Sequence, residues 1–441
     1  MTKSTLVNDK HNISKVVEND LCSGCGFCAA FCPYNAIHVI RDLKGFNTPN
    51  IYEQRCTNCG LCSELCPSYG LQLSEWSKKV VNAPFYNPIL GGYIEVCRGY
   101  ANDDKIRRGA SSGGIVTSLL IFLIKQRLID GAIVTVMDHK EPLYAKTIFA
   151  SSEEDVLRGI GSKYTPVTMN KSIYHAVKNN FRFAFVGLPC HIEALRKAEG
   201  KIAKLRKLVF LRIGLYCNSV PSLNATRYVL WRFKIPMEKI AEIKYRGNGW
   251  PGCMAIKLKS NKQIKIPFLK YWSSGFGQYF AKKRCLLCSD QTAELADISV
   301  ADPWTIKSID EDQQVGESLI VVRSRIGYEI LQSALRQDYI SLSRLNPLCA
   351  IQPTTLFKKR NKNSRSVSMI LGVKSIPYNY PLPLNFDTVV QLLEYRINSF
   401  LASYEKLWPL LRITVFVIEN FKELLLKYLH SFHYLRSGKN I

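Results

Sequence analysis

Two cysteine runs hold the chemistry this chain can do: CSGCGFCAAFCP at Cys22–Pro33 and CTNCGLCSELCP at Cys56–Pro67. Each spaces four thiols as Cys-x2-Cys-x2-Cys-x3-Cys and ends in proline, the run that ligates a 4Fe-4S cubane. Three thiolates set two residues apart wrap one cubane, because the backbone between them curls around it with its amides toward the sulfides. The fourth ligand has to come from elsewhere, and where two such runs occur the last cysteine of each serves the other cluster. One cluster is therefore expected on Cys22, Cys25, Cys28 and Cys66, and the other on Cys56, Cys59, Cys62 and Cys32. Gly24, Gly26 and Gly60 suit a tight loop in which side chains would collide with the cluster. Structural zinc and a disulfide framework are the competing readings, and two copies of the full pattern argue against both.

The elements that must position these thiols follow from the order of the chain. The runs recur 34 residues apart, an internal repeat that predicts a small pseudo-twofold unit of short strands and helices over residues 1–80. Asn82–Gly92, rich in Pro, Gly and Asn, reads as a boundary. Residues 81–350 then alternate strands with helices: an extended Tyr93–Ala101, an apolar helix after GASSGG at Gly109–Gly114, strands in GAIVTVM and Ala145–Ala150, and a Ser-capped helix in SSEEDVLRG. A buried strand, FRFAFVG, a helix through Ile192–Lys197 and the strand LVFLRIGLYC complete the pattern of an α/β layered domain. A hairpin turning at Ser260–Gln263 decorates it.

Residues 351–441 change character, with a basic linker at Lys358–Ser366 and then a helical extension over Asp387–Leu435 that is apolar on one face. Charges such as Glu405, Lys406, Arg412 and Lys422 interrupt any run long enough to span a bilayer. Two readings of the extension stay open: a helical pair that packs on the protein or a second copy, and an amphipathic segment for a membrane surface or a partner. The expected architecture thus joins α+β and α/β parts: an N-terminal bicluster ferredoxin-like domain, a central α/β domain and C-terminal helices.

Length and composition, 441 residues with 47% hydrophobic and 22% charged, describe a globular chain of two or three domains. Fifteen cysteines serving as thiolates need a reducing setting, and the polar start MTKSTLVNDK has no apolar signal region. The expected location is the cytoplasm, or the cytoplasmic face of a membrane. The formal charge is +25. A cluster held by four thiolates carries about two negative charges, so bound clusters would lower this figure and still leave a basic excess for anionic substrates, an acidic redox partner or anionic lipid. No nucleic-acid-binding motif accompanies it, so nucleic acid is not an expected partner.

Four further cysteines stand where metal ligands make sense. Cys190 ends FVGLPC, Cys217 ends IGLYC, and Cys285 and Cys288 form a CxxC. Strand ends on one edge of an α/β sheet converge, and such edges bind ligands. Spacing alone leaves open a third cluster on these four, or zinc at the CxxC with two buried structural cysteines. Cys97, Cys253 and Cys349 read as ordinary buried or free cysteines.

The succession GASSGGIVTSLL, DGAIV, GIGSKY, FVGLPCHIEALRK, IGLYC, YRGNGW, RCLLC and ADISVADPW resembles the family of coenzyme F420 hydrogenase/dehydrogenase beta subunits, in the form fused to an N-terminal two-cluster ferredoxin. The resemblance implies an FAD in the central domain and a third 4Fe-4S cluster close to it on Cys190, Cys217, Cys285 and Cys288. It also implies that Ser111, Ser112, Gly113, Gly114, Ser162, Lys163 and Tyr164 lie at the flavin. Glycines and small hydroxyls before a helix let backbone amides approach a pyrophosphate. Lys163 reads either as a cation for the phosphates or the reduced flavin, or as a solvated loop lysine.

The chain departs from the family at His191, where glutamine is usual, at Ala301-Asp302-Pro303-Trp304 and at Gly247-Asn248. These changes bear on the substrate more than on the cofactors. His191 reads as a proton donor to substrate or as a structural neighbour of the cluster. The expected function is an iron-sulfur flavoprotein oxidoreductase. It would relay electrons between a redox partner such as ferredoxin and FAD, with hydride exchange to coenzyme F420 or another small organic substrate. A non-catalytic electron-transfer component, docked to a larger or membrane-associated complex through the C-terminal helices, is the alternative. A redox sensor would need an effector domain that the sequence does not offer.

Overall fold

The computed structural model describes residues 12–69, 73–304, 315–351, 386–418 and 420. The basic linker expected at Lys358–Ser366 and the part of the extension beyond Asn420 lie outside the described residues.

Each copy of the N-terminal repeat contributes one short helix, α1 (Phe27–Ala30) and α2 (Leu61–Leu65), and between them β1 (Ile37–Arg41) pairs antiparallel with β2 (Asn47–Ile51). Both helices are entered through a glycine in the left-handed region, Gly26 at φ 83° and Gly60 at φ 80°. That backbone requires glycine. A Cβ at Gly26 would also stand 2.0 Å from Thr168 Oγ1, so the residue lets the N-terminal module seat against the central domain.

The central domain is built on an eight-stranded sheet. In chain order its first strands are β3 (Glu95–Ala101), β4 (Gly131–Met137), β5 (Ala145–Ala150), β6 (Phe183–Gly187) and β7 (Val209–Leu215). A separate three-stranded sheet follows, β8 (Ile240–Lys244), β9 (Cys253–Leu258) and β10 (Gln263–Pro267), and the chain then returns with β11 (Ile298–Ala301), β12 (Ser318–Val322) and β13 (Ile340–Arg344). The large sheet runs β13-β3-β12-β11-β7-β6-β4-β5. Only β11, β7, β6 and β4 are mutually parallel; every other pair is antiparallel. The sheet is therefore mixed, not the plain α/β layer expected, because the returning strands pair back on β3. Ala132, Ile133, Phe183, Phe185, Leu211 and Ile213 in the parallel strands are fully buried, as strands covered on both faces must be.

Helices α3 (Ile115–Lys125), α4 (Glu153–Arg158) and α5 (Pro189–Lys201) follow β3, β5 and β6. The Ser152 hydroxyl caps α4 by accepting the Asp155 amide, as expected for SSEEDVLRG. The stretch Asn82–Gly92 departs from a plain linker: Phe85–Asn87 pairs with Gly91–Tyr93, and the Asn87 side chain accepts the Ile89 and Leu90 amides to close the turn.

One buried ion network holds β7 to the approach to β11. Arg212 donates to Glu199 at 2.6 Å and to Asp297 at 3.2 Å, and Arg196 reaches Asp297 at 3.3 Å. At the C-terminal end, helix α7 (Phe386–Ser403) is followed by a second helix, α8, at 408–418. Trp408, Leu411 and Val415 enter the same apolar cluster as Tyr228, Ile243 and Phe280, so the extension packs on the body of this chain. Among the described residues no helix is long and apolar enough to cross a membrane.

Candidate iron-sulfur and flavin centres

Cys22, Cys25, Cys28 and Cys66 line one cavity, with Ile13, Val16 and Phe27 supplying apolar wall. Burial pushes the Cys25 and Cys28 thiols up, and the neighbouring thiols of the same set push them further. Burial, with Cys25 and Cys22 adding, lifts Cys66 to about 12. Backbone amides already face the sulfurs: Gly24 N–H donates to Cys22 Sγ at 3.3 Å, Phe27 to Cys25 and Ser68 to Cys66. Four thiols this close and this dry cannot all lose their protons unless a cationic centre offsets the repulsion. The donor set therefore fits the cluster expected from its spacing.

In the second set, Cys56 and Cys59 act on Cys62, whose thiol is raised chiefly by burial. Asn12 donates to Cys56 Sγ at 3.7 Å, and Cys59 is exposed. Cys32 accepts the Ala36 amide at 3.3 Å, and its place in this set rests on the repeat. None of the fifteen cysteines is in a disulfide, which removes the disulfide-framework reading. Among the described residues no three His, Cys, Asp or Glu side chains close on a single-ion site.

Cys190, Cys217 and Cys288 come near one another at one edge of the large sheet. β6 ends at Gly187, and α5 begins at Pro189 with Cys190 in its first turn. β7 ends at Leu215, and the Cys217 amide donates to the Gln291 carbonyl at 2.9 Å, on the segment just after Cys288. Burial pushes the Cys190 thiol well up, and Cys217, Cys25 and Cys288 push it further. Two members of this set are thus neighbours of Cys190, and so is Cys25 of the first N-terminal set. Cys285 lies in the short helix α6 (Lys283–Leu287), where its carbonyl accepts the Cys288 amide at 3.3 Å.

His191 is buried beside this set. Its Nδ1 accepts the Leu188 amide at 3.3 Å, satisfying an orphan donor at the start of α5, and burial lowers its pKa to about 4. It is therefore a neutral helix cap near neutrality, the arrangement of the structural-neighbour reading. Cys97 fits its ordinary reading: it is buried in β3, and burial lifts its thiol to about 12.

The two loops expected at the flavin and the loop of Asp302 meet around one buried guanidinium. Arg246 donates to the Ser111 carbonyl at 2.6 Å, to both oxygens of Asp302 at 2.6 and 3.1 Å, and to the Tyr164 hydroxyl at 3.5 Å. Trp250 Nε1 donates to the same carboxylate at 3.0 Å, and the rings of Phe268 and Trp304 lie 4.7 and 5.8 Å from the guanidinium carbon. The Ser162 amide donates to Ser111 Oγ at 2.7 Å. Val300 pairs with Leu215, so two residues further on Asp302 and Cys217 leave the same edge of the sheet. Both candidate centres therefore share that edge.

These residues fit a flavin in part. Gly114, at φ 80°, leads into α3, whose N-terminus no side chain caps, and such an end suits a pyrophosphate. Ser112 Oγ, by contrast, is paired with Ser318 Oγ at 3.0 Å, and the Gly113 amide donates to the same hydroxyl. Lys163 is half-buried and turned onto its own backbone. Its ammonium donates to the carbonyls of Gly159, Ile160 and Gly161 at the end of α4, and burial, with Lys244 adding, lowers its pKa to about 7.

Residues 96–174 match the N-terminal part, and residues 181–347 the C-terminal part, of the family described as coenzyme F420 hydrogenase/dehydrogenase, beta subunit. The chain belongs to this family of beta subunits. Residues 21–69 match a 4Fe-4S dicluster domain, so an iron-sulfur module precedes the beta-subunit part. The beta subunit of coenzyme F420 hydrogenase from Methanothermobacter thermautotrophicus is 25% identical over 56% of this chain and 83% of its own. The coenzyme F420-dependent sulfite reductase of Methanocaldococcus jannaschii is 26% identical over 81% of this chain, which spans only 53% of that relative. A chain from the solved F420-reducing [NiFe] hydrogenase complex of Methanosarcina barkeri superposes with a TM-score of 0.51 at 20% identity. It covers 67% of this chain and 100% of its own, a likeness of fold.

Within the beta-subunit part, sequence reasoning missed Arg246 and Trp250 and saw Asp302 only as a departure from the family pattern. It also missed three cations at the junction with the N-terminal module: Lys197, Lys282 and Arg284. The visible signal was charge: Lys282 and Arg284 stand in KKRCLLC, and Arg246 in YRGNGW. Their partners are remote in the chain, so spacing did not disclose them.

Proposed function

We propose that the chain is an iron-sulfur flavoprotein oxidoreductase that moves electrons between a one-electron carrier protein and coenzyme F420 or another organic hydride partner. The observation that carries this reading is the proximity of Cys25 to Cys190, which brings the first N-terminal thiol set beside the set at the sheet edge. The proposed ligands are Cys22, Cys25, Cys28 and Cys66; Cys56, Cys59, Cys62 and Cys32; and Cys190, Cys217, Cys285 and Cys288. FAD is proposed at the N-terminus of α3, next to the Arg246–Asp302 pair. When bound, clusters pass single electrons and a flavin accepts or gives a hydride.

The residues of the chain supply position and dryness. Arg246 fixes the loops of Ser111, Tyr164 and Asp302 relative to one another, and the apolar walls of the thiol cavity exclude water. Oxidation of a reduced deazaflavin would release two electrons and two protons; the electrons leave singly to two carriers and the protons go to solvent.

The test is anaerobic: iron, sulfide and flavin per chain, followed by absorbance on adding reduced coenzyme F420. About twelve irons and one FAD, with bleaching of both chromophores, is the expected result. Full cofactor content without bleaching would retain the relay and replace the deazaflavin by another organic partner. About eight irons and no flavin would overturn the catalytic reading.

A second reading, an electron-transfer component docked to a larger complex, is favoured by one observation. Leu393, Ile397 and Phe400 on α7 and Leu410, Ile413 and Phe416 on α8 form outward apolar faces, each at least half exposed. Such a component would hold its clusters yet lack substrate-dependent turnover when isolated.

A further inference from the structure

Three basic side chains of the central domain reach into the N-terminal module, and all of them address the first thiol set. Lys282 is 6% exposed; its Nζ donates to the carbonyls of Cys22 at 3.0 Å and Asn47 at 2.9 Å, and lies 5.1 Å from the Phe46 ring centre. Lys197 Nζ donates to the carbonyls of Cys66 at 2.6 Å and Tyr69 at 2.7 Å. Arg284, 2% exposed, donates to Ser68 Oγ at 3.2 Å and the Pro67 carbonyl at 3.3 Å. Two carboxylates lie on the same side: Glu193, 4.0 Å from Arg284, and Glu64, which acts on Lys197 and is itself paired with Lys201 at 2.8 Å. Among the described residues the cations outnumber these carboxylates around the cavity of Cys22, Cys25, Cys28 and Cys66.

The placement is tied to the later cysteines. Lys197 lies on α5, which begins with Cys190, and Lys282 and Arg284 flank the start of α6, which carries Cys285. The same two elements carry Cys190 and Cys285 and, with Lys282 at the start of α6, grip the carbonyls of two members of the first set.

We propose that Lys282 and Lys197 are positioning residues that raise the reduction potential of the group held by Cys22, Cys25, Cys28 and Cys66. This makes it the more readily reduced of the two N-terminal sites and biases electrons toward the Cys190 side. Uptake of one electron adds one negative charge with no bond made or broken. A cation held close in a dry site stabilises that charge far more than one in water does. The electron comes from a one-electron carrier of the ferredoxin class, by way of the exposed Cys59 side. The inference rests on the cluster reading proposed above.

The experiment is a potentiometric titration, followed by electron paramagnetic resonance, of the anaerobically purified full chain with its iron content measured. Lys282→Gln keeps donors for the Cys22 and Asn47 carbonyls and removes the charge. Lys282→Arg keeps the charge, and Lys197→Gln tests the other side. Both glutamine variants are expected to move the midpoint of the same N-terminal signal to more negative potential, with the other signal unmoved, iron retained, and most of the shift absent in Lys282→Arg. Unmoved midpoints in fully loaded glutamine variants, an equal shift in Lys282→Arg, or loss of iron from both glutamine variants would overturn the tuning role. Fewer than about eight irons in the unmodified chain would remove the cluster reading itself, a different failure from an unmoved midpoint.

Discussion

Arg246 holds Asp302 by a two-pronged contact, with one guanidinium nitrogen 2.6 Å from one carboxylate oxygen and the other nitrogen 3.1 Å from the second. The fork also carries the Ser111 carbonyl, so one side chain sets the spacing of three loops. Lysine cannot reproduce a planar fork. Arg246→Lys is expected to keep its iron and to lose flavin affinity by at least tenfold, about 1.4 kcal/mol, read from absorbance after anaerobic gel filtration. Flavin retained at full occupancy would move the flavin site away from this cluster.

Cys285 is the member of the sheet-edge set that spacing assigns most directly, through the CxxC with Cys288. Cys285→Ser is expected to lower the iron content from about twelve to about eight per chain. FAD should stay bound, while electron transfer to an external one-electron acceptor is lost. Iron content near twelve, or undiminished transfer, would take Cys285 out of the path.

How much of this was legible can be followed residue by residue. The cysteine runs disclosed a 4Fe-4S dicluster module because cluster ligation fixes spacing, and Cys22, Cys25, Cys28 and Cys66 line one cavity. The strands around Cys190 and Cys217 were legible because buried parallel strands are continuous apolar runs. The edge strand β13, the return of β12 onto β3 and the grip of Lys282 on Cys22 were not, since each depends on partners more than a hundred residues away. The contacts of Lys163 were hidden for a different reason: a lysine beside a glycine loop reads as a phosphate ligand or a solvated side chain, and only the fold shows its ammonium on three nearby carbonyls.

Asp297 makes a stability prediction with a pH signature. Burial would raise its pKa, but Arg196 and Arg212, helped by the Ser324 hydroxyl at 2.8 Å, outweigh burial and hold it below the ordinary carboxylate range. A depressed folded value means that the stabilisation is complete above the unfolded value of about 4 and is lost as pH falls through the folded value. Asp297→Asn leaves two buried guanidinium groups short of charge and is expected to cost about 3–5 kcal/mol at pH 7, measured by urea unfolding. The gap between variant and parent should narrow below about pH 4; a gap that stays constant to pH 3 would deny the ion network its role.

The C-terminal helices separate a folding face from a docking face. Trp408 is 2% exposed, lies 5.6 Å from Tyr228 and 5.9 Å from Trp231 between ring centres, and donates to the Ala402 carbonyl at 3.2 Å. Trp408→Ala is expected to destabilise by about 3–5 kcal/mol. Phe400 and Phe416, 59% and 66% exposed on the opposite side, make no comparable contribution, so Phe400→Ser with Phe416→Ser should change stability by no more than about 0.5 kcal/mol. If these faces seat a partner protein, the double variant loses at least tenfold in association, about 1.4 kcal/mol, by analytical ultracentrifugation of the purified complex while its melting temperature holds. A double variant that binds as tightly as the parent leaves the faces without a docking role and returns weight to the self-contained enzyme.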